Sequence, residues 1–197
     1  MQTHVICSQA ENKVEMDVQV GIFTQAELCQ VTGLNSVTVD TWLIRGILRT
    51  TKVGGRTLRG RRLFSVLAIF EAKVTGELVT RLSLPPSEAS EVARSAAADW
   101  DTADDWKPRV ITAIERSAKF ASVFLMIVRT EDGWHTIPVY GNRNGPPLFE
   151  PRSKYEKWFA NPLGILPASD LLSSVYVRCR EISNGSAGAK GHRDEQP

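Results

Sequence analysis

Between Thr24 and Gly46 the chain carries a helix start, a stop, a second start and a second stop in quick succession, so only short elements fit there. "TQAE" is a Ser/Thr-x-x-Glu capping box, with Thr24 as N-cap and Glu27 placed to reach back to the cap amide. Ala26, Leu28 and Val31 supply apolar positions for a helix running to about Val31. "TGLNS" breaks it: Gly33 suits a tight turn, and Asn35 or Ser36 caps the next helix. That second helix is expected from about Val37 to Arg45, with Val39, Trp42 and Leu43 at helical spacing, until Gly46 stops it. Two short helices joined by a glycine-bearing turn have the outline of a helix-turn-helix.

The next segment reads as a hairpin. "ILRTTKV" is expected as one strand and "RRLF" as its partner, joined by the glycine-framed loop "GGRTLRG". Ser65 then caps a third helix, whose stripe is Val66, Leu67, Ile69, Phe70, Val74 and Leu78. A hairpin in that place is a wing. Its charge is uneven: no acidic residue lies between Asp40 and Glu71, while Arg45, Arg49, Lys52, Arg56, Arg59, Arg61 and Arg62 all do. The whole chain has a formal net charge of only +2, so this concentration is local and suits an anionic partner.

The 197 residues suit one large domain or two small ones, and the 42% hydrophobic content is enough to bury a core. Residues 1–19 read as a flexible leader and 20–84 as the winged unit, closed by Pro85 and Pro86. Residues 85–105 read as a linker: Ser87 caps an alanine-rich helix to about Ala98, and the acidic "DWDTADDW" follows. Residues 106–183 read as a small α+β unit. Pro108 suits the first turn of a helix bearing Val110, Ile111, Ile114 and Ala118. "SVFLMIVRTEDGWHTIPVY" is a hairpin turning at Asp132-Gly133. Its first strand is apolar on both faces and should be central; Pro138 makes the second an edge or a bulged strand. "GNRNGPPLFEPRSKY" and "ANPLGILPAS" read as irregular. "VYVRCREI" alternates and reads as a last strand of an antiparallel sheet, before a disordered tail at 184–197. The fold class expected is α+β.

Other classes find little support. No apolar run approaches a bilayer span, and the first residues lack the basic start and apolar core of a secretory signal, so a cytoplasmic location is expected. Cys7, Cys29 and Cys179 form no metal or disulfide pattern, and no metal or cofactor is expected. His135 stands alone on a strand, and Asp99, Asp101, Asp104 and Asp105 lack partners at ligand spacing. The chain is not expected to be an enzyme.

Residues 22–66 resemble the winged helix-turn-helix of MerR-like transcription regulators. The family's Tyr/Phe-Thr start, acidic residue, Thr-Gly-Val/Leu turn and Gly-Leu-Leu stop are matched by Phe23-Thr24, Glu27, Thr32-Gly33-Leu34 and Gly46-Ile47-Leu48. The family's wing ending, Arg-Thr-x-x-Gly-Tyr-Arg-x-Tyr-Ser, is matched by "RTLRGRRLFS", with Arg56, Gly60, Arg62, Phe64 and Ser65 in register. The resemblance implies that Arg62 meets a DNA phosphate, that Thr38 sits on the exposed face of the recognition helix, and that Trp42 takes the place of an aromatic residue there. Two features depart from the family. Asp40 stands where the recognition helix usually has an arginine, and Pro85-Pro86 interrupts the place of the long dimerisation helix.

The physical case for DNA also stands apart from the resemblance, because such a helix fits a major groove and a protruding basic loop releases counterions from phosphates. The candidate contacts are Asn35, Ser36, Thr38, Asp40, Thr41 and Arg45 from the turn and second helix, and Lys52, Arg56, Arg59, Arg61 and Arg62 from the wing. The expected function is a sequence-specific transcriptional regulator on double-stranded DNA, working as a homodimer through residues 106–183. Two alternatives stand beside it: an architectural, packaging or excision protein of a phage or mobile element, and an adaptor whose basic wing binds an acidic protein. The C-terminal unit suits oligomerisation, an effector or a protein partner, with Trp134, Tyr140, Tyr155, Trp158 and Phe159 available to line a pocket or interface.

Overall fold

The computed structural model describes residues 17–51, 62–97, 106–116, 118, 122–131, 133–141 and 162–190. Helix α1 (Gln25–Thr32) begins at the capping box, where the Glu27 amide donates to Thr24 Oγ1 at 3.4 Å and the Thr24 amide donates to Glu27 Oε2 at 2.6 Å. It ends at Gly33, whose φ of 79° is unfavourable for a residue with a Cβ. Helix α2 (Ser36–Ile44) is capped by Asn35, whose Oδ1 accepts from the Thr38 amide at 2.7 Å. Gly46, at φ 69°, turns the chain back so that the amides of Ile47 and Leu48 both donate to the Trp42 carbonyl.

The expected outgoing strand is not formed in its described part, residues 47–51. The Thr51 amide donates to the Leu63 carbonyl at 3.0 Å, and the Ser65 amide donates to Thr51 Oγ1 at 2.8 Å. Phe64 pairs with Phe23, just ahead of α1, in an isolated antiparallel bridge. Both phenylalanines are buried in the core. Lys52 to Arg61, which hold the end of the expected outgoing strand, the expected loop and the first residue of the return strand, lie outside the described residues.

Helix α3 (Val66–Leu82) starts where Ser65 Oγ accepts the Ala68 amide at 3.2 Å. It buries Val66, Ile69, Phe70, Val74 and Leu78, while Leu67 is half-buried. Lys73 Nζ donates to the Thr32 carbonyl at 3.2 Å, putting a cation at the end of α1 where the helix dipole favours one. Helix α3 stops at Ser83, in left-handed geometry, and α4 (Pro86–Ala97) packs against it. Helix α4 begins at Pro86 rather than at a Ser87 cap, since the fixed φ of proline suits a first helical residue.

Helix α5 (Trp106–Glu115) leads to strands β1 (Ser122–Thr130), β2 (Gly133–Gly141) and β3 (Pro162–Leu166), then to helix α6 (Ala168–Lys190). The sheet is antiparallel in the order β2-β1-β3, so β1 is central and Pro138 lies on an outer strand, opposite Leu125. Three corrections concern the C-terminal part. "PLGIL", expected as irregular, is strand β3: proline is tolerated at its start, and Gly164 lets it pass close to α3. A Cβ on Gly164 would come within 2.6 Å of Leu82 Cδ1. "VYVRCREI", expected as a strand, lies inside α6. Leu172, Val175, Tyr176 and Cys179 are buried at i, i+3, i+4 and i+7, and that helical stripe wins over the shorter alternation. Helix α6 also runs through residues 184–190 of the segment expected as a loose tail.

One apolar core extends from Phe23 to Cys179, taking in α1 to α6 and one face of β1. Helix α6 packs on α1 and α3, and α4 packs on β2, so contacts cross the boundaries expected at 84 and 105. A polar cluster reinforces the second crossing. Trp134 Nε1 donates to Glu88 Oε2 at 3.2 Å, and the Arg129 guanidinium lies 5.3 Å over the Trp134 ring and 3.6 Å from the same carboxylate. At the N-terminal end, Val18 packs on the core and its carbonyl accepts from the Leu67 amide, so residues 17–19 of the expected leader are part of the fold.

Candidate nucleic-acid interface

Helix α2 has an inward and an outward side. Val39 and Trp42 are buried inward, and Trp42 also receives the two amides that follow Gly46. Asn35, Ser36, Val37, Asp40, Ile44 and Arg45 are exposed, and Thr38 and Thr41 are half-buried. The six candidate contacts expected from this region therefore all retain solvent access along one short element.

Several of these groups are already engaged within the chain. Asn35 Oδ1 holds the Thr38 amide, and the Thr41 hydroxyl donates to the Val37 carbonyl at 2.8 Å. Asp40 and Arg62, far apart in sequence, meet with Oδ1 3.3 Å from the guanidinium NH1. Both side chains are about half exposed, so the pair contributes little to stability, on the order of 0–1 kcal/mol. Its consequence is positional: the return arm of the basic segment lies beside the middle of α2. Lys52, Arg56, Arg59 and Arg61 fall outside the described residues.

Sequence reasoning missed two residues on this surface. Val37 is 73% exposed and Ile44 80% exposed, the most exposed large hydrophobic side chains among the described residues. The signal was available in "SVTVDTWLI": Val37 and Ile44 are seven residues apart and share a face that Val39 and Trp42 do not.

Helix α3 carries a partly buried acid among cations. Glu71, on α3, has its carboxyl pushed up from its ordinary value because burial disfavours the ionised form. The cations Arg94, Arg49 and Lys107 pull in the opposite direction. Lys107 is itself buried and donates from Nζ to the Ala96 carbonyl at 3.2 Å.

Elsewhere the described surface offers less. A shallow groove on α6 is lined by Asp170, Ser173, Ser174, Val177, Arg178 and Glu181. Among the described residues no group of three or more His, Cys, Asp or Glu side chains gathers as a metal site, and no helix is long and apolar enough to cross a membrane. Of the aromatic residues expected to line a pocket or interface, Trp134 is held by Glu88 and Tyr140 is exposed. Tyr155, Trp158 and Phe159 lie outside the described residues. Comparison of the chain with protein-family models finds no match, and comparison with curated proteins finds none either.

Proposed function

We propose that this chain is a sequence-specific DNA-binding transcriptional regulator with a MerR-like winged helix-turn-helix at its N-terminal end. Helix α2 enters the major groove and the basic segment between Arg45 and Arg62 lies on the phosphate backbone. The observation that carries this reading is the outward face of α2, solvent-accessible along the helix, with Arg62 drawn beside it at Asp40. A helix whose inner side is anchored by Val39 and Trp42 is held firmly enough to present its outer side to a rigid partner.

Pairing of two copies on two half-sites is part of the proposal, because a single small domain reads few base pairs. Its support is strand β3, at one side of the sheet, where Leu163 and Ile165 are 47% and 43% exposed. Footprinting of the full chain on the DNA upstream of its own coding sequence, and on duplexes selected from a random pool, tests the reading. A protected tract with a sequence preference is the expected result. Absence of protection on every duplex at low salt would overturn it and turn attention to an acidic protein as the partner of the basic segment.

A further inference from the structure

The outward face of α2 is unusual in what it leaves uncommitted. Its polar members are partly engaged by their own chain: Asn35 Oδ1 by the Thr38 amide, the Thr41 hydroxyl by the Val37 carbonyl, and Asp40 by Arg62. Among the large hydrophobic side chains of the described residues the two most exposed also lie here, Val37 at 73% and Ile44 at 80%. In water neither gains anything from that position. The base edges of a major groove present one apolar group, the C5-methyl of thymine, and apolar side chains are its natural contacts. Resting on the DNA-binding reading above, we infer that α2 recognises its site through pyrimidine C5-methyl groups, contacted by Val37 and Ile44.

Helix geometry fixes the spacing. Seven residues at about 1.5 Å each separate Val37 from Ile44 by roughly 10 Å along the axis. At roughly 3.4 Å of duplex axis per step, that length covers at most about three base-pair steps. Because a helix that follows the groove is inclined to the duplex axis, the two methyl groups lie within about three steps of each other. Charge decides for duplex DNA over an apolar protein surface as the occupant, since α2 is followed by a run of seven cations without one acid before Glu71. Asp40 sharpens the assignment: with Arg62 on its carboxylate, the middle of the helix offers less polar readout than either end offers apolar contact.

The test changes the DNA and leaves the protein intact. A duplex selected from a random pool with the full chain is remade with deoxyuridine in place of each thymine in turn, which removes one methyl group and nothing else. Loss of about fourfold in affinity per contacted methyl is expected, at two positions within about three steps of each other. Val37→Ala and Ile44→Ala, each at an exposed site that does not threaten the fold, should each weaken the thymine-over-uracil preference at one of those positions while leaving the salt dependence unchanged. Replacing cytosine by 5-methylcytosine at the same positions separates the two sources of the methyl group: a gain from a methylated cytosine in place of the thymine supports the inference equally. A tight, sequence-preferring complex that is indifferent to uracil and to both alanine variants would overturn the inference and leave DNA binding standing. Failure to bind any duplex would remove both.

Discussion

Strand β1 and helix α2 both carry apolar side chains on two faces, yet the fold treats them differently. In β1, Val123, Leu125 and Ile127 enter the main core, while Met126 and Val128 join Ile137 and Val139 in a second buried cluster on the other side of the sheet. In α2, Val39 and Trp42 are buried but Val37 and Ile44 stand in water. Burying both faces of β1 makes it a structural element and exhausts its capacity for contact. Leaving one face of α2 open costs the hydrophobic gain of two side chains, a cost that a partner surface would recover.

The largest expected effect breaks the comparison at its buried end. Ile127→Ala leaves a cavity in the core and should cost about 2–5 kcal/mol of unfolding free energy in urea denaturation. Ile44→Ala, the same chemical change on α2, should stay within about 0.5 kcal/mol. Equal losses at the two sites would mean that Ile44 is packed, and the contrast between the elements would be lost.

A second expectation extends the buried side of the comparison to α6. Burial, reinforced by nearby Glu27, pushes the Cys179 thiol from 9.0 up to about 12. Between those values the unfolded chain loses its proton while the folded chain keeps it, so this group favours unfolding as pH rises. Its contribution is intact below pH 9 and lost progressively from 9 to 12. Wild type should lose about 1 kcal/mol more than Cys179→Ala on moving from pH 8 to pH 10, read from urea midpoints. Parallel pH profiles would contradict it.

The smallest effect lies at the exposed end. Asp40→Asn removes a negative charge from the outward face of α2 and releases Arg62. Affinity for all duplexes should rise about two- to fivefold in a fluorescence titration, with reduced preference among them. A uniform loss of affinity would mean that Asp40 itself holds the DNA.

These contrasts also explain how much could be read from the residues alone. The starts and stops of the N-terminal helices were legible because they are local: Thr24 with Glu27, Asn35, Ser65, Gly33 and Gly46 act within a turn of themselves. The central place of β1 was legible from its double-faced apolarity and the outer place of β2 from Pro138. Helix α6 was misread because the window from Val175 to Cys179 alternates. Only Leu172, upstream, and the burial of Tyr176 expose the helical period. Strand β3 carries almost no local signal; its partner β1 and the approach of Leu82 to Gly164 define it. In the candidate site the residue types were legible, and their placement was not. The meeting of Asp40 with Arg62 depends on how the return arm is fixed by Phe64 on Phe23, a contact between distant segments.

The central claim is that the basic segment and α2 act together on a DNA backbone, and salt dependence tests it most directly. Affinity of the full chain for a selected duplex, measured from low to moderate salt, should fall linearly on a logarithmic plot. Arg62→Ala should reduce the slope by about one unit and weaken all duplexes similarly, as loss of one phosphate contact requires. Binding that is absent, or that does not respond to salt in either protein, would contradict the account.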